Sequence, residues 1–195
     1  MSNEDTVLKE VYSSFKQRLS FDDFQTKINS LTIDKWNFVR ATLLYQQSLK
    51  CRWCNPNIAM VLLCSCADAI QLEETSYKRF TGFYKMYCPS RFRNSPIECM
   101  PNRKPPLKTA PFEKALHFIY KQFRNMYVHE GIGHLEISPE HIVTHTFYDK
   151  NKGENDIYKV DMLKVVEWFG KITFESLFAM LQLTRIYPPS QFFDF

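Results

Sequence analysis

The sequence predicts an all-α protein, a helical bundle with one long proline-rich loop and one β-hairpin inserted before the last helix. Apolar residues recur at helical spacing through most of the chain. Only five of the 195 residues are glycine, which argues against sheets joined by many tight turns. Six of the ten prolines fall between residues 88 and 111, where they disfavour helices and strands alike. Because no repeat or linker divides the chain, we expect one domain over residues 1–195.

The helices follow from apolar periodicity and capping residues. They are predicted over residues 5–19, 21–30, 34–49, 58–74, 112–129 and 161–185. Asp34 is the expected N-cap of the third helix. The fourth, which extends to residue 84 at most, is apolar almost all round, as is typical of a central buried helix. The fifth ends before Gly131 and Gly133, which suit a left-handed C-terminal cap.

The hairpin is predicted from two segments rich in β-branched and aromatic residues. These are residues 141–148 and 156–160, and the turn sequence DKNKGEN lies between them.

The overall composition excludes several classes of protein. The chain is 45% hydrophobic and 24% charged, so it is neither disordered nor collagen-like. It has no glycine-rich dinucleotide or P-loop motif. The polar N-terminus and the absence of a long apolar run predict a cytoplasmic protein without a membrane partner. In that compartment the six cysteines are expected to be thiols.

The helix predicted over residues 112–129 carries the residues with the clearest chemistry. At 100° per residue, one face is an apolar stripe centred on Leu116. Phe118, Gln122, Asn125 and His129 lie on the opposite face, and Arg124 lies at its shoulder. We therefore expect Phe118 to be covered by a second copy of the helix across a twofold axis. The alternative to a proton-transfer role for His129 is a surface imidazole whose charged form is favoured by the dipole at the helix C-terminus.

The segment Arg124-Asn125-Met126-Tyr127-Val128-His129 resembles the R-x4-6-H motif of the HEPN superfamily of helical ribonucleases and nucleotide-binding proteins. The apolar helix MVLLCSCADAIQ is similar to the first core helix of that family, although it has Asp68 where Glu is common. The resemblance spans residues 55–187, and the loop and hairpin resemble the Apea-like branch. Residues 1–53 are then N-terminal helices packed on this core.

The resemblance implies an endoribonuclease that needs no metal and no cofactor and acts as a homodimer with a composite site. Arg124, Asn125 and His129 would be the catalytic residues. His129 would transfer protons and Arg124 would neutralise the phosphorane. Such an enzyme is typical of toxins and defence effectors, which implies an antitoxin or regulatory partner. A non-catalytic RNA- or nucleotide-binding module is the alternative, and a structural or partner-binding bundle is a third hypothesis.

The positive charge of the chain is concentrated just before this helix. The formal net charge is only +4. Residues 78–108 contain eight basic residues and one acidic residue, a balance of +7, so the rest of the chain carries −3. Aromatic residues alternate with the basic ones, which is typical of surfaces that bind phosphates and unstacked bases. The RNA-binding residues predicted here are Arg91, Arg93, Lys85 and Tyr87. The alternative is a solvated segment whose aromatic residues anchor it to the bundle.

Cysteine spacing leaves a zinc site open without favouring it. Cys51 and Cys54 have the spacing of a zinc knuckle, and Cys88 with Cys99 would have to supply the second pair. Ten residues separate Cys88 from Cys99, which is looser than structural zinc sites normally show. We therefore expect thiols and no metal.

Overall fold

The computed structural model describes residues 3–70, 76–125, 142–149 and 154–182, and these are mainly helical with one small antiparallel sheet. The side chains of residues 76, 125, 142–149 and 154–155 lie outside this description. The helices are α1 (Asn3–Tyr12), α2 (Phe21–Asn29), α3 (Lys35–Cys51), α4 (Pro56–Ile70), α5 (Ser76–Tyr87), α6 (Phe112–Ile119) and α7 (Met162–Gln182). A π-helical segment, Tyr120–Asn125, continues α6.

Side chains cap the starts of α2 and α3, and Asp34, the cap predicted from the sequence, is one of these. The Asp34 carboxylate accepts a hydrogen bond from the Trp36 amide at the start of α3. Ser20 accepts one from the Asp23 amide at the start of α2. Helix α4 is described over Pro56–Ile70 and α5 over Ser76–Tyr87, and residues 71–75, into which the fourth helix was predicted to continue, lie outside the described residues. Helix α4 is the central one, with ten of its residues buried.

The sheet has four antiparallel strands in the order β2-β1-β4-β3. They are β1 (Glu98–Met100), β2 (Lys108–Thr109), β3 (Ile142–Asp149) and β4 (Glu154–Asp161). The predicted hairpin corresponds to β3 and β4, which pair from Ile142 opposite Asp161 to Asp149 opposite Glu154. The prediction of an all-α chain with only a loop over residues 88–111 was therefore too simple, because that segment contributes two strands to the sheet.

The proline-rich segment is tied to the hairpin by one buried carboxylate. Asp156 on β4 is 3% exposed. It accepts hydrogen bonds from the Asn102 amide at 2.9 Å and from Lys114 Nζ at 3.0 Å. Asn102 and Arg103 both have left-handed backbone conformations, with φ of 49° and 58°. The carboxylate thus holds a tight turn of the segment against both the sheet and α6.

Burial alternates along β4 as expected for a strand with one covered face. Asp156, Tyr158 and Val160 are buried, whereas Lys159 is exposed. Tyr158 stands opposite Cys99 of β1, which is also buried. The inner face of the sheet therefore covers one side of α6.

Candidate functional site

The candidate site lies where the π-helical segment passes α4. Arg124 Nε donates a hydrogen bond to Asp68 Oδ2 at 3.0 Å. The two side chains are 17% and 19% exposed. The Arg124 guanidinium also lies 5.7 Å from the centre of the Tyr120 ring. An arginine held in this way has a fixed direction and remains close to solvent, which suits it to binding an anion.

The surroundings of this ion pair are poorly solvated. Cys64, one turn before Asp68 on α4, is buried, and burial raises the pKa of its thiol well above the usual value. The negative charge of Asp68 raises that pKa further, and the positive charge of Arg124 opposes it. The second oxygen of Asp68, Oδ1, is buried and has no hydrogen-bond partner among the described residues. Electrostatic interactions are stronger here than at an open surface.

A series of aromatic contacts connects His117 to Tyr120, the ring that lies beside Arg124. His117 Nδ1 is 3.1 Å from the Tyr77 hydroxyl, and the two rings meet edge to face at 5.5 Å. Tyr77 in turn packs edge to face on Tyr120 at 5.1 Å. No role was predicted from the sequence for His117 or Tyr77. On an ideal helical wheel His117 and Arg124 differ by only 20°, but the π-helical segment that follows Ile119 changes this angle, so periodicity alone could not have found His117.

The remaining motif residues are only partly described. Asn125 ends the π-helical segment, but its side chain lies outside the described residues. His129 also lies outside them, within residues 126–141. The roles predicted for both residues stay predictions.

The far face of the motif helix is covered by the chain itself. Phe118 is fully buried, and its ring stacks on Tyr158 of β4 with ring centres 4.5 Å apart and planes 21° from parallel. Gln122 is 5% exposed. The expectation that this face points away from the core, with Phe118 covered by a second copy, was therefore wrong. The sheet packs on Phe118 there, so this face is covered within the chain.

Two of the predicted RNA-binding residues have structural partners. Arg93 donates three hydrogen bonds, to the carbonyl oxygens of Lys85 and Cys88 at 2.8 to 3.0 Å, and so satisfies carbonyls at the end of α5. Lys85 Nζ lies 2.9 Å from Glu113 in an exposed pair. Arg91 is exposed, and its guanidinium lies 4.7 Å from the centre of the Phe92 ring.

The aromatic residues of this segment are mostly core residues. Tyr87 is 2% exposed and packs on Phe83 with ring centres 5.7 Å apart. Burial raises the pKa of Tyr87 to about 12. Phe80, Phe83 and Tyr84 are fully buried. A buried ring presents no face to a base, so Tyr87 does not have the exposure that RNA binding requires, and the aromatic residues act as anchors of α5.

All six cysteines are free in this structure. Cys64, Cys66, Cys88 and Cys99 are buried, Cys51 is partly buried and Cys54 is exposed. Within the described ranges no group of three or more His, Cys, Asp and Glu side chains could hold a metal ion. Cys51 and Cys54 therefore have no second described pair with which to complete a zinc site.

Comparison of the chain with protein-family models, with curated proteins and with solved structures finds no match. Among the described helices, none combines the length and the apolar character needed to cross a membrane.

Proposed function

We propose that the protein is an endoribonuclease that cleaves RNA without a metal, by attack of a ribose 2′-hydroxyl on the adjacent phosphate. The observation that carries the proposal is the Arg124–Asp68 pair, 3.0 Å long and about one fifth exposed, at the start of the segment that resembles the HEPN motif. An oriented arginine at the edge of a poorly solvated region is suited to stabilising charge that develops on a phosphorane.

Each residue has a distinct part in the proposed reaction. Asp68 holds Nε of Arg124, so that the guanidinium is directed before substrate binds. Arg124 neutralises the phosphorane, and His129 takes the proton from the 2′-hydroxyl or gives one to the leaving 5′-oxygen. Asn125 orients the imidazole or binds phosphate. The products are a 2′,3′-cyclic phosphate and a 5′-hydroxyl.

The proposed active form is a homodimer in which the ends of two motif helices form one cleft. Support for the dimer comes from the HEPN resemblance and no longer from Phe118, which is buried within the chain. RNA would approach over the exposed basic residues before α6. Arg91 is the first choice for a phosphate contact, and Lys85 the second, because its exposed pair with Glu113 is easily exchanged. An activity of this kind fits a toxin or defence effector with a regulatory partner.

Cleavage of labelled single-stranded RNA in EDTA tests the proposal. Replacing His129 with alanine should lower the cleavage rate about 10²- to 10⁴-fold, which is the usual contribution of a general acid or base. Arg124→Lys keeps the charge but loses the planar donor geometry, and should lower the rate about 10²-fold or more. Arg40→Gln is the matched control, because Arg40 is an exposed arginine on α3. Equal rates for all four proteins would refute the catalytic proposal.

The same proteins separate catalysis from simple binding. Arg124 is only 17% exposed and is paired, a state that also suits an arginine that only holds a phosphate. The second candidate is accordingly a non-catalytic RNA- or nucleotide-binding module. Fluorescence anisotropy that shows RNA binding by the wild type, unchanged in His129→Ala and without turnover, would favour this candidate.

A further inference from the structure

A cavity of about 240 Å³ lies between α3, α4 and α7, apart from the residues of the proposed active site. Its apolar walls come from all three helices: Leu49 from α3, Leu63 from α4, and Val166 and Phe174 from α7. Pockets for drug-sized ligands have volumes of about 300–1,000 Å³, so this cavity is smaller than they are. The cavity is therefore suited to a molecule with a single ring or a short chain.

Gly170 of α7 leaves this cavity open. It also lines the cavity, and a Cβ atom built on it meets no other atom within 4 Å. Glycine inside a helix lowers stability relative to alanine. A methyl group at this position would therefore project into free space beside the cavity.

The polar part of the lining is predominantly positive. Among the lining residues that the structure describes, Arg52 and Lys171 are the cations and Glu167 is the one carboxylate. Arg52 Nε is buried and has no hydrogen-bond partner within the described ranges. Such a donor carries a desolvation cost that an anionic acceptor would remove.

Arg52 packs against an aromatic ring beside the cavity. Its guanidinium lies 4.9 Å from the centre of the Trp53 ring. Its charge also acts on Tyr45, another lining residue: burial raises the pKa of Tyr45 to about 12, and Arg52 opposes that rise. Lys171 lies 5.1 Å from the centre of the Phe92 ring. Both cations therefore have defined positions around the opening.

We propose that this cavity binds a small organic anion, with an apolar ring or chain over Gly170 and a carboxylate or phosphate at Arg52. The apolar walls provide the surface that buries the body of the ligand. Arg52 and Lys171 give the selectivity for negative charge, since an anion makes charge-assisted hydrogen bonds with them, a hydroxyl makes weaker neutral ones, and an ammonium can accept none. The proposal is independent of RNA cleavage.

Calorimetric titration of the full chain with four probes that share one ring tests the proposal. The probes are benzoate, phenyl phosphate, benzyl alcohol and benzylamine. At least one anion should bind with one-to-one stoichiometry and at least tenfold more tightly than the alcohol, and the amine should not bind. The stronger of the two anions identifies the head group as carboxylate or phosphate. Equal affinity for alcohol and anions, or no saturable binding of either anion below 10 mM, would overturn the proposal.

Four variants locate the bound probe. Arg52→Gln should weaken anion binding at least tenfold, and Gly170→Leu should abolish it. If Gly170→Leu does not fold, Gly170→Ala, which is expected to raise the unfolding midpoint, should still weaken binding. Arg40→Gln removes an exposed cation of α3 that does not line the cavity and should bind like the wild type. Wild-type affinity in Arg52→Gln or in both folded Gly170 variants would place the probe elsewhere and refute the proposal.

Discussion

The ion pair between Arg124 and Asp68 should be coupled more strongly than an ordinary surface pair. Both side chains are about one fifth exposed, at 17% and 19%. Exposed pairs contribute about 0.2–1 kcal/mol, whereas breaking a buried pair costs about 3–5 kcal/mol. We therefore expect Asp68→Asn to lower the free energy of unfolding by about 2 kcal/mol. Arg124→Gln should lower it by about 3 kcal/mol, because Asp68 Oδ2 loses the Arg124 donor and the carboxylate, whose Oδ1 has no partner among the described residues, is left buried without a compensating charge.

A double-mutant cycle followed by urea unfolding measures this coupling. The double variant Asp68→Asn/Arg124→Gln should be about 1–2 kcal/mol more stable than the sum of the single effects predicts. The Lys85–Glu113 pair is the control, because it has a similar distance of 2.9 Å but is 49% and 71% exposed. Its coupling should be about 0.2–1 kcal/mol. Equal coupling energies in the two cycles would refute the argument that Asp68 directs Arg124 within a poorly solvated site.

Three further predictions concern packing, capping and thiol reactivity. Phe118→Ala should lower the free energy of unfolding by about 3–5 kcal/mol and leave the oligomeric state measured by light scattering unchanged. Loss of a dimer at unchanged stability would contradict the stacking of Phe118 on Tyr158 within the chain. Arg93→Gln should lower the free energy of unfolding, measured with urea, by about 1.5–3 kcal/mol, because it removes three hydrogen bonds to carbonyl oxygens. The control Arg91→Gln changes an exposed residue and should leave this free energy unchanged. With a thiol reagent at pH 8, exposed Cys54 should react before Cys51, because burial raises the pKa of Cys51 and its thiolate fraction grows only at higher pH. Single Cys→Ser variants identify each kinetic phase. The reverse order of reaction would contradict the assignment.

The sequence was sufficient for the elements that depend on local signals. The Asp34 cap, the buried character of α4 and the hairpin of β3 and β4 follow from residue types within a few positions of one another. The strands β1 and β2 do not, because residues 98–100 are stabilised as a strand by pairing with β4, more than fifty positions away. Proline content alone therefore overstated the irregularity of that segment.

The candidate site was only partly predicted, again because some of its contacts join residues that are distant in the sequence. Arg124 was found from the motif, but Asp68 as its partner depends on the packing of α4 against the π-helical segment. The burial of Phe118 depends on a distant strand. The helical wheel also assumed 100° per residue, which fails once the backbone forms i to i+5 hydrogen bonds after Ile119. Likewise, the alternation of basic and aromatic residues before α6 could not distinguish base-stacking rings from core rings such as Tyr87.

The nature of the RNA ends produced in EDTA tests the central claim most directly. Wild-type protein and His129→Ala are incubated with a labelled single-stranded RNA, and the product termini are identified by mass spectrometry. Attack by the 2′-hydroxyl predicts 2′,3′-cyclic phosphate and 5′-hydroxyl ends from the wild type and about 10²- to 10⁴-fold less product from the variant. Products with 3′-hydroxyl and 5′-phosphate ends, or equal product from both proteins, would contradict the proposed mechanism.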